Sequence, residues 1–202
     1  MKNRVLIIGG SGFIGSKVAH NLIRSNYSVT VFDKKKSLFD KKVRFLQGDV
    51  LNIKSLEKAV KGHDIIYNFA ALADIDEARY KPSETIKINI LAVSNILQIS
   101  LKYKIKRFIQ ASSIYAMSNE GGFYACSKRA SEDYIQEFNK MYKIDYTILR
   151  FGSLYGPNAD QTNGIKKMIL SAKKQKKIVY RGNRSATRRY IHVEDAAILC
   201  KE

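Results

Sequence analysis

The sequence is short of acid. Its 202 residues carry 18 Asp and Glu against 36 Lys and Arg, for a formal charge of +18. Such an excess attracts polyanions of any size, from nucleic acid to a doubly phosphorylated small molecule. The cations are spread over both halves of the chain, in short runs such as Lys34–Lys36, Lys41-Lys42 and Lys173-Lys174. Runs of this kind are ordinarily solvated faces, and no RNA-recognition signature accompanies them, so nucleic acid is not an expected partner. Cysteine is scarce too. Cys126 and Cys200 are too few for a disulfide framework and lack metal-ligand spacing, so no metal is expected and a reducing, cytoplasmic setting fits. Two prolines and twelve glycines exclude collagen-like and low-complexity classes. No apolar run is long enough to span a bilayer; Val5–Ile8 stops at Gly9-Gly10. The same glycines, with no small-residue cleavage site after them, argue against reading Met1–Ile8 as the start of a secretory signal.

What remains is an ordinary globular composition. With 45% hydrophobic and 10% aromatic residues the chain can bury a core. Its length suits one domain, or one domain and part of another. Short apolar runs alternate with longer helix-patterned stretches. Residues 4–8, 28–32, 43–47, 64–69, 107–111 and 146–150 read as buried strands; 13–25, 53–60, 83–103 and 124–142 read as helices. In the segment 83–103, Ile86, Ile90, Val93, Leu97 and Leu101 recur at spacings of three and four. Alternation of this kind predicts an α/β fold, a doubly wound parallel sheet with helices on both faces. The pattern divides the chain into residues 1–157 and a more basic, less regular region, 158–202, expected to pack outside the sheet near its ligand edge.

The first strand runs directly into Gly9-Gly10-Ser11-Gly12-Phe13-Ile14-Gly15. A strand, closely spaced glycines and then a helix make a pyrophosphate site. One glycine forms the turn, Gly12 lets a cofactor approach the backbone, and Gly15 lets the helix pack close to the strand. The free amides at the helix start then face the phosphates. Asp33 follows the second strand, 18 residues beyond Gly15. A carboxylate there accepts hydrogen bonds from an adenosine ribose and repels a 2′-phosphate, which favours NAD over NADP, although Lys34–Lys36 could pair with that phosphate.

Tyr124 and Lys128 stand four residues apart, on one helix face. No other tyrosine in the chain has a lysine four residues on. A phenol is a poor base near neutral pH, but a neighbouring ammonium favours the phenolate. Such a phenol can take a proton from a hydroxyl while hydride leaves the same carbon. Ser112-Ser113 end the fifth strand, where ligands bind in open parallel sheets. Either serine could hold the reacting oxygen.

Together these residues resemble the extended short-chain dehydrogenase/reductase superfamily, specifically its NAD-dependent nucleotide-sugar epimerase/dehydratase group. Gly9–Gly15 is similar to the family's cofactor loop, in which Gly9, Gly12, Phe13, Ile14 and Gly15 meet the dinucleotide, and Asp33 to its ribose acid. Gly48-Asp49-Val50 resembles the adenine-contacting turn, and Asn68-Phe69-Ala70-Ala71 the strand end beside the cofactor. Asn89 matches an Asn that organises the site. Ser113, Tyr124 and Lys128 match the catalytic Ser/Thr, Tyr and Lys, with Tyr124 and Lys128 also touching the cofactor. Residues 149–157 and 188–195 match two further segments, in which Ser153 and Arg188 are substrate contacts and Arg188 grips the sugar-nucleotide diphosphate.

The resemblance implies bound NAD, a nucleotide-sugar (NDP-sugar) substrate, and a homodimer built on helices 83–103 and 124–142. Leu97, Leu101, Tyr134 and Phe138 are candidates for that interface or for covering the sheet. Members with 4,6-dehydratase activity place an Asp-Glu pair directly after the Ser/Thr; here Ile114-Tyr115 stand there, which favours an epimerase. A reductase or dehydrogenase of the same group, or a non-catalytic NAD(P)- or nucleic-acid-binding member, is the alternative. Members commonly continue beyond the segment matched by 188–195, so the chain resembles one shortened in its substrate-binding region.

Overall fold

The structure is a computed structural model and describes residues 3–37, 41–178, 185 and 187–201. Met1, Lys2 and Glu202, which enter the reading of the two chain ends, lie outside the described residues. Six strands form one parallel sheet: β1 (Arg4–Ile8), β2 (Ser28–Asp33), β3 (Arg44–Gln47), β4 (Ile65–Asn68), β5 (Arg107–Ser113) and β6 (Asp145–Phe151). Their order is β3-β2-β1-β4-β5-β6. The order reverses between β1 and β4, which leaves a crevice at the carboxyl ends of these two strands.

The strands are apolar on both faces because both faces are covered. Leu6 and Ile8 of β1 enter one core cluster with Phe32, Ile66, Phe108 and the helices α2 (Ile53–Val60) and α5 (Ala92–Lys102). Val5 and Ile7 point the other way, onto Val18, Ala19 and Leu22 of α1 (Phe13–Arg24). This alternation is the period of two that a strand imposes.

The helix read over 83–103 is not a single α-helix. After a short α3 (Ile75–Tyr80), it comprises α4 (Pro82–Ile86), then a π-helical turn, Lys87–Leu91, and then α5. The wider turn rotates the side chains of α4 relative to those of α5. Val93 and Leu97 are fully buried, whereas Ile86 is 55% exposed. Asn89, inside the turn, is directed into the protein.

The expected strand 107–111 extends to Ser113 and leads through a 3₁₀ turn, Ile114–Met117, to α6 (Gly122–Tyr142). Of the four residues named for an interface, Leu97 lies in the core, Leu101 and Phe138 pack against it, and Tyr134 alone is half-exposed.

Beyond the sheet, β7 (Ser153–Tyr155) pairs in parallel with β8 (Tyr190–His192), and Asn163, which caps α7 (Gly164–Gln175), donates to the Leu154 carbonyl of β7 at 2.8 Å. The region after residue 157 is not uniformly peripheral. Helix α8 (Val193–Leu199) packs on α1, and its Ala197 and the following Cys200 enter the second core cluster. The buried Tyr67 hydroxyl of β4 donates to the Cys200 carbonyl at 2.9 Å. Removing that hydroxyl leaves a buried carbonyl without its partner. Tyr67→Phe is therefore expected to cost about 1–3 kcal/mol in urea unfolding; an unchanged midpoint would show that α8 is not anchored through this bond.

Candidate active site

The loop between β1 and α1 is built by close backbone approaches. Gly9 has φ +75°, and a Cβ there would stand 2.5 Å from the Ala70 backbone nitrogen. A Cβ on Gly15 would stand 2.7 Å from the Gly9 carbonyl oxygen. These contacts draw the start of α1 and the end of β4 together around a cleft of about 250 Å³. Gly9, Gly12, Asp33, Gly48, Val50, Ala70 and Ala71 line it, with Phe32 and Ile88, which the sequence reading did not single out.

The residues present fit a dinucleotide. No side chain caps α1, and its first turn has no acid, so its leading amides are free for an anion. The Ser11 hydroxyl oxygen is buried and has no hydrogen-bond partner. Apart from its chain neighbours and the Gly9 carbonyl oxygen 3.3 Å away, nothing among the described residues stands within 4 Å of where a Gly12 side chain would project, so a ligand can reach the backbone there. Asp33 accepts from the Ser11 amide at 3.0 Å and the Lys35 amide at 3.2 Å, which holds its carboxylate at the cleft edge with lone pairs to spare.

The other candidates are placed differently. Phe13 lines an adjoining groove beside Ser11 and Gly12, and Ile14 packs on the second core cluster, so Ile14 can offer its backbone but not its side chain. Asp49 accepts from the Leu51 amide and pairs with Lys34 at 3.2 Å, on the rim. Asn89 is buried: its amide oxygen accepts from the Leu72 amide at 2.8 Å, and its nitrogen donates to the Leu72 carbonyl at 3.0 Å and the Ser127 hydroxyl at 2.9 Å. Its side chain ties the strand-end loop to α6.

A second cleft, of about 520 Å³, begins two residues beyond Ala71, at Ala73. It brings together Ser113, Tyr124, Ser153 and Arg188, with Tyr115, Asp74, Asp76 and Asp160 also in its wall. The geometry separates the two serines. Ser112 is buried and donates to Glu132, whereas Ser113 faces the cleft with Tyr124 and accepts from the Tyr115 amide at 3.3 Å.

Burial pushes the Tyr124 phenol above its ordinary value; the Ser113 hydroxyl opposes this and the nearby Tyr115 phenol adds to it. Lys128 lies behind, wholly buried, and donates to the Ala111 carbonyl at 3.0 Å. Its nitrogen stands 5.7 Å from the centre of the Tyr124 ring. Burial pushes Lys128 down to about 8, and the Glu132 carboxylate pulls it back. The expectation that Lys128 makes Tyr124 acidic is therefore not met in the protein alone. Lys128 points to the sheet, and Ser113 is the group that lowers the phenol. Glu132 was missed in the sequence, although an acid one turn beyond Lys128 on the same helix face was there to read.

A methyl group on Gly9 has no room. Gly9→Ala is expected to abolish calorimetric binding of NAD and to lower the melting temperature; a folded variant that binds NAD normally would show that the loop relaxes freely.

Residues 5–201 match the family described as NAD dependent epimerase/dehydratase. A relative named "Putative UDP-glucose 4-epimerase", from Methanocaldococcus jannaschii, is 30% identical over 217 residues, spanning 96% of this chain and 70% of that protein. Among solved structures, the UDP-glucose 4-epimerase of Thermotoga maritima with UDP-glucose superposes with a TM-score of 0.86 at 26% identity, covering 96% of this chain and 71% of its own. The Thermus thermophilus UDP-glucose 4-epimerase complex with NAD gives 0.86 at 26%, covering 98% and 73%. The strand order, the glycine-built cleft and a sequence match across nearly the whole chain agree: this chain belongs to the NAD-dependent epimerase/dehydratase family.

Proposed function

We propose that the chain is a nucleotide-sugar epimerase-like oxidoreductase. The observation that carries this reading is the meeting of Ser113, Tyr124 and Arg188 in one cleft, beside a second cleft suited to a dinucleotide. NAD, when bound, supplies the acceptor and donor of hydride. Gly9, Gly12, Asp33, Val50, Ala70 and Ala71 would hold it, with Asp33 on a ribose. The Arg188 guanidinium suits a diphosphate, which it can engage through two parallel hydrogen bonds. Ser113 holds the reacting hydroxyl oxygen, and the Tyr124 phenol exchanges the proton on it. Burial keeps that phenol protonated, which suits it to return a proton to a keto-sugar oxygen; to remove one from a hydroxyl it must first be ionised, and Ser113 is the group that favours the phenolate.

The family includes both epimerases and dehydratases, and the turn directly after Ser113 favours the first. Elimination of water needs an acid and a base beside the sugar. At the turn after Ser113, Ile114 is 52% exposed and Tyr115 faces the cleft, so no carboxylate stands there. With UDP-glucose as the probe substrate and NAD present, Tyr124→Phe is expected to lower kcat by about 10²–10⁴-fold. NAD at about 100 times its Kd should still stabilise this variant by about 2.7 kcal/mol. Undiminished turnover would remove Tyr124 as the proton-transfer group.

The proposed assembly is a homodimer through the outward faces of α5 and α6. The outward stripe consists of exposed Leu91 and Gln98 with half-buried Ser94 between them on one segment, and exposed Cys126, Asp133 and Tyr134 on the other. Light scattering should find a dimer that Leu91→Glu with Tyr134→Glu converts to a monomer; a monomeric wild type sinks this arrangement.

A further inference from the structure

Helix α6 carries a second buried ionisable group that the proposed mechanism does not use. Glu132 is 4% exposed, against 3% for Lys128 one turn earlier. Its carboxylate is held by both strands on which the helix rests. Arg150 of β6 grips it as a fork, with Nε 3.1 Å from each oxygen and Nη2 2.7 Å from Oε2. The Ser112 hydroxyl of β5 donates to Oε1. The two flanking residues of that strand are Ala111, whose carbonyl accepts from Lys128, and Ser113, which faces the cleft.

Burying an ion pair contributes little net stability compared with apolar packing, so stability alone is a weak reason for this arrangement. Its position supplies a better one. A carboxylate gripped by neighbouring strands fixes both the rotation of α6 and its height above the sheet. Tyr124 and Lys128 ride on the same helix, and their partners ride on β5. The titratable and charged groups around Lys128 are few: Tyr124 and Glu132 on its own helix, and Arg150 from β6, behind Glu132. From β5 the Ala111 carbonyl, which is uncharged, accepts from Lys128.

We propose that Glu132, clamped by Arg150 and Ser112, is the positioning residue of this active site, aligning Tyr124 and Lys128 with Ser113 and supplying the counter-charge that keeps Lys128 an ammonium ion. The catalytic half of this inference rests on the proposed role of Tyr124; the counter-charge half does not. The direct test is therefore free of turnover. In protein labelled with ¹³Cε-lysine, Lys128→Met identifies the Lys128 resonance, and its titration is followed by NMR in the wild type and in Glu132→Gln.

The midpoint is expected to move down by about one pH unit or more in the variant, since burial remains and the carboxylate charge does not. An unmoved midpoint in folded Glu132→Gln overturns the proposal. Should that variant fail to fold, Glu132→Gln with Arg150→Gln removes the orphaned guanidinium as well and should show a smaller downward shift, since losing that more distant cation offsets part of the effect. A folded double variant with the wild-type midpoint overturns the proposal, and failure of both to fold makes the cluster a requirement of stability alone, which also overturns it. In turnover of UDP-glucose with NAD, Glu132→Gln should lower kcat roughly 10–100-fold while NAD affinity and KM hold, the signature of misplaced catalytic groups. Wild-type kcat in Glu132→Gln, where Tyr124→Phe is inactive, sinks the positioning role and leaves the reaction assignment standing. A fully active Tyr124→Phe sinks the reaction assignment and leaves the titration to be judged by itself.

Discussion

Two stretches of backbone come unusually close at the carboxyl end of β1, and the rest of the site depends on that approach. Gly9 turns with positive φ against the Ala70 backbone, and Gly15 lies against the Gly9 carbonyl. Because no side chain intervenes, the start of α1 and the end of β4 face each other across one crevice, at the point where strand order reverses. A parallel sheet offers such a crevice only there. The free amides of α1 supply positive potential without any basic side chain, and the Asp33 carboxylate, docked on the Ser11 amide, closes the other side. The same approach governs the second cleft, since the chain leaving Ala70 reaches Ala73 and Asp74 in its wall within four residues.

Helix α6 meets this crevice with an almost wholly polar inner face. Tyr124, Ser127, Lys128, Ser131 and Glu132 are all buried, and Ile135 is the apolar residue beyond them. Such a row is costly to bury unless every member finds a partner. Each does: Ser113 for Tyr124, Asn89 for Ser127, the Ala111 carbonyl for Lys128, the Lys128 carbonyl for Ser131 and Arg150 for Glu132. Apart from the Lys128 carbonyl, which belongs to the helix itself, the partners come from β5, β6 and the π-helical turn, so the helix has one position in which all are satisfied. Asn89 serves this alignment from the opposite side, by tying Leu72 and Ser127 together.

Much of this was legible in the sequence where local pattern and tertiary role agree. Val5–Ile8 is apolar without interruption because both faces of β1 are covered, and Gly9–Gly15 declares its turn through residues that few other conformations need. The exceptions are places where regular periodicity fails or is diluted. Ile86 and Ile90 share the helical spacing of Val93 and Leu97, but the π-helical turn between them shifts the register, and a 3.6-residue reading has no means to register an extra residue. Helix α8 carries a true apolar stripe, Val193, Ala196, Ala197 and Cys200, yet small side chains among charged neighbours give it little contrast. The choice between Ser112 and Ser113 was invisible because adjacent strand residues differ only in which face they take. Glu132 reads as a surface acid on an amphipathic helix until Arg150 is known to stand opposite.

The excess of cations acquires a meaning from how the acids are used. With half as many acids as bases, the carboxylates near the clefts are almost all engaged locally. Asp49 holds Lys34, Asp74 caps α3 by accepting from the Glu77 amide, and Asp160 accepts from the Thr162 and Asn163 amides. Asp74 and Asp160 line the same cleft as Arg188, but their oxygens already serve backbone donors. Among the described residues Arg188 has no carboxylate partner and remains exposed in that cleft. A guanidinium left without an internal counter-ion, in a chain with charge +18, is matched to a ligand that brings its own negative charge. The proposed substrate, a sugar linked to a diphosphate, would bring two such charges together with hydroxyls suited to a wall of Ser113, Tyr115, Tyr124 and Ser153.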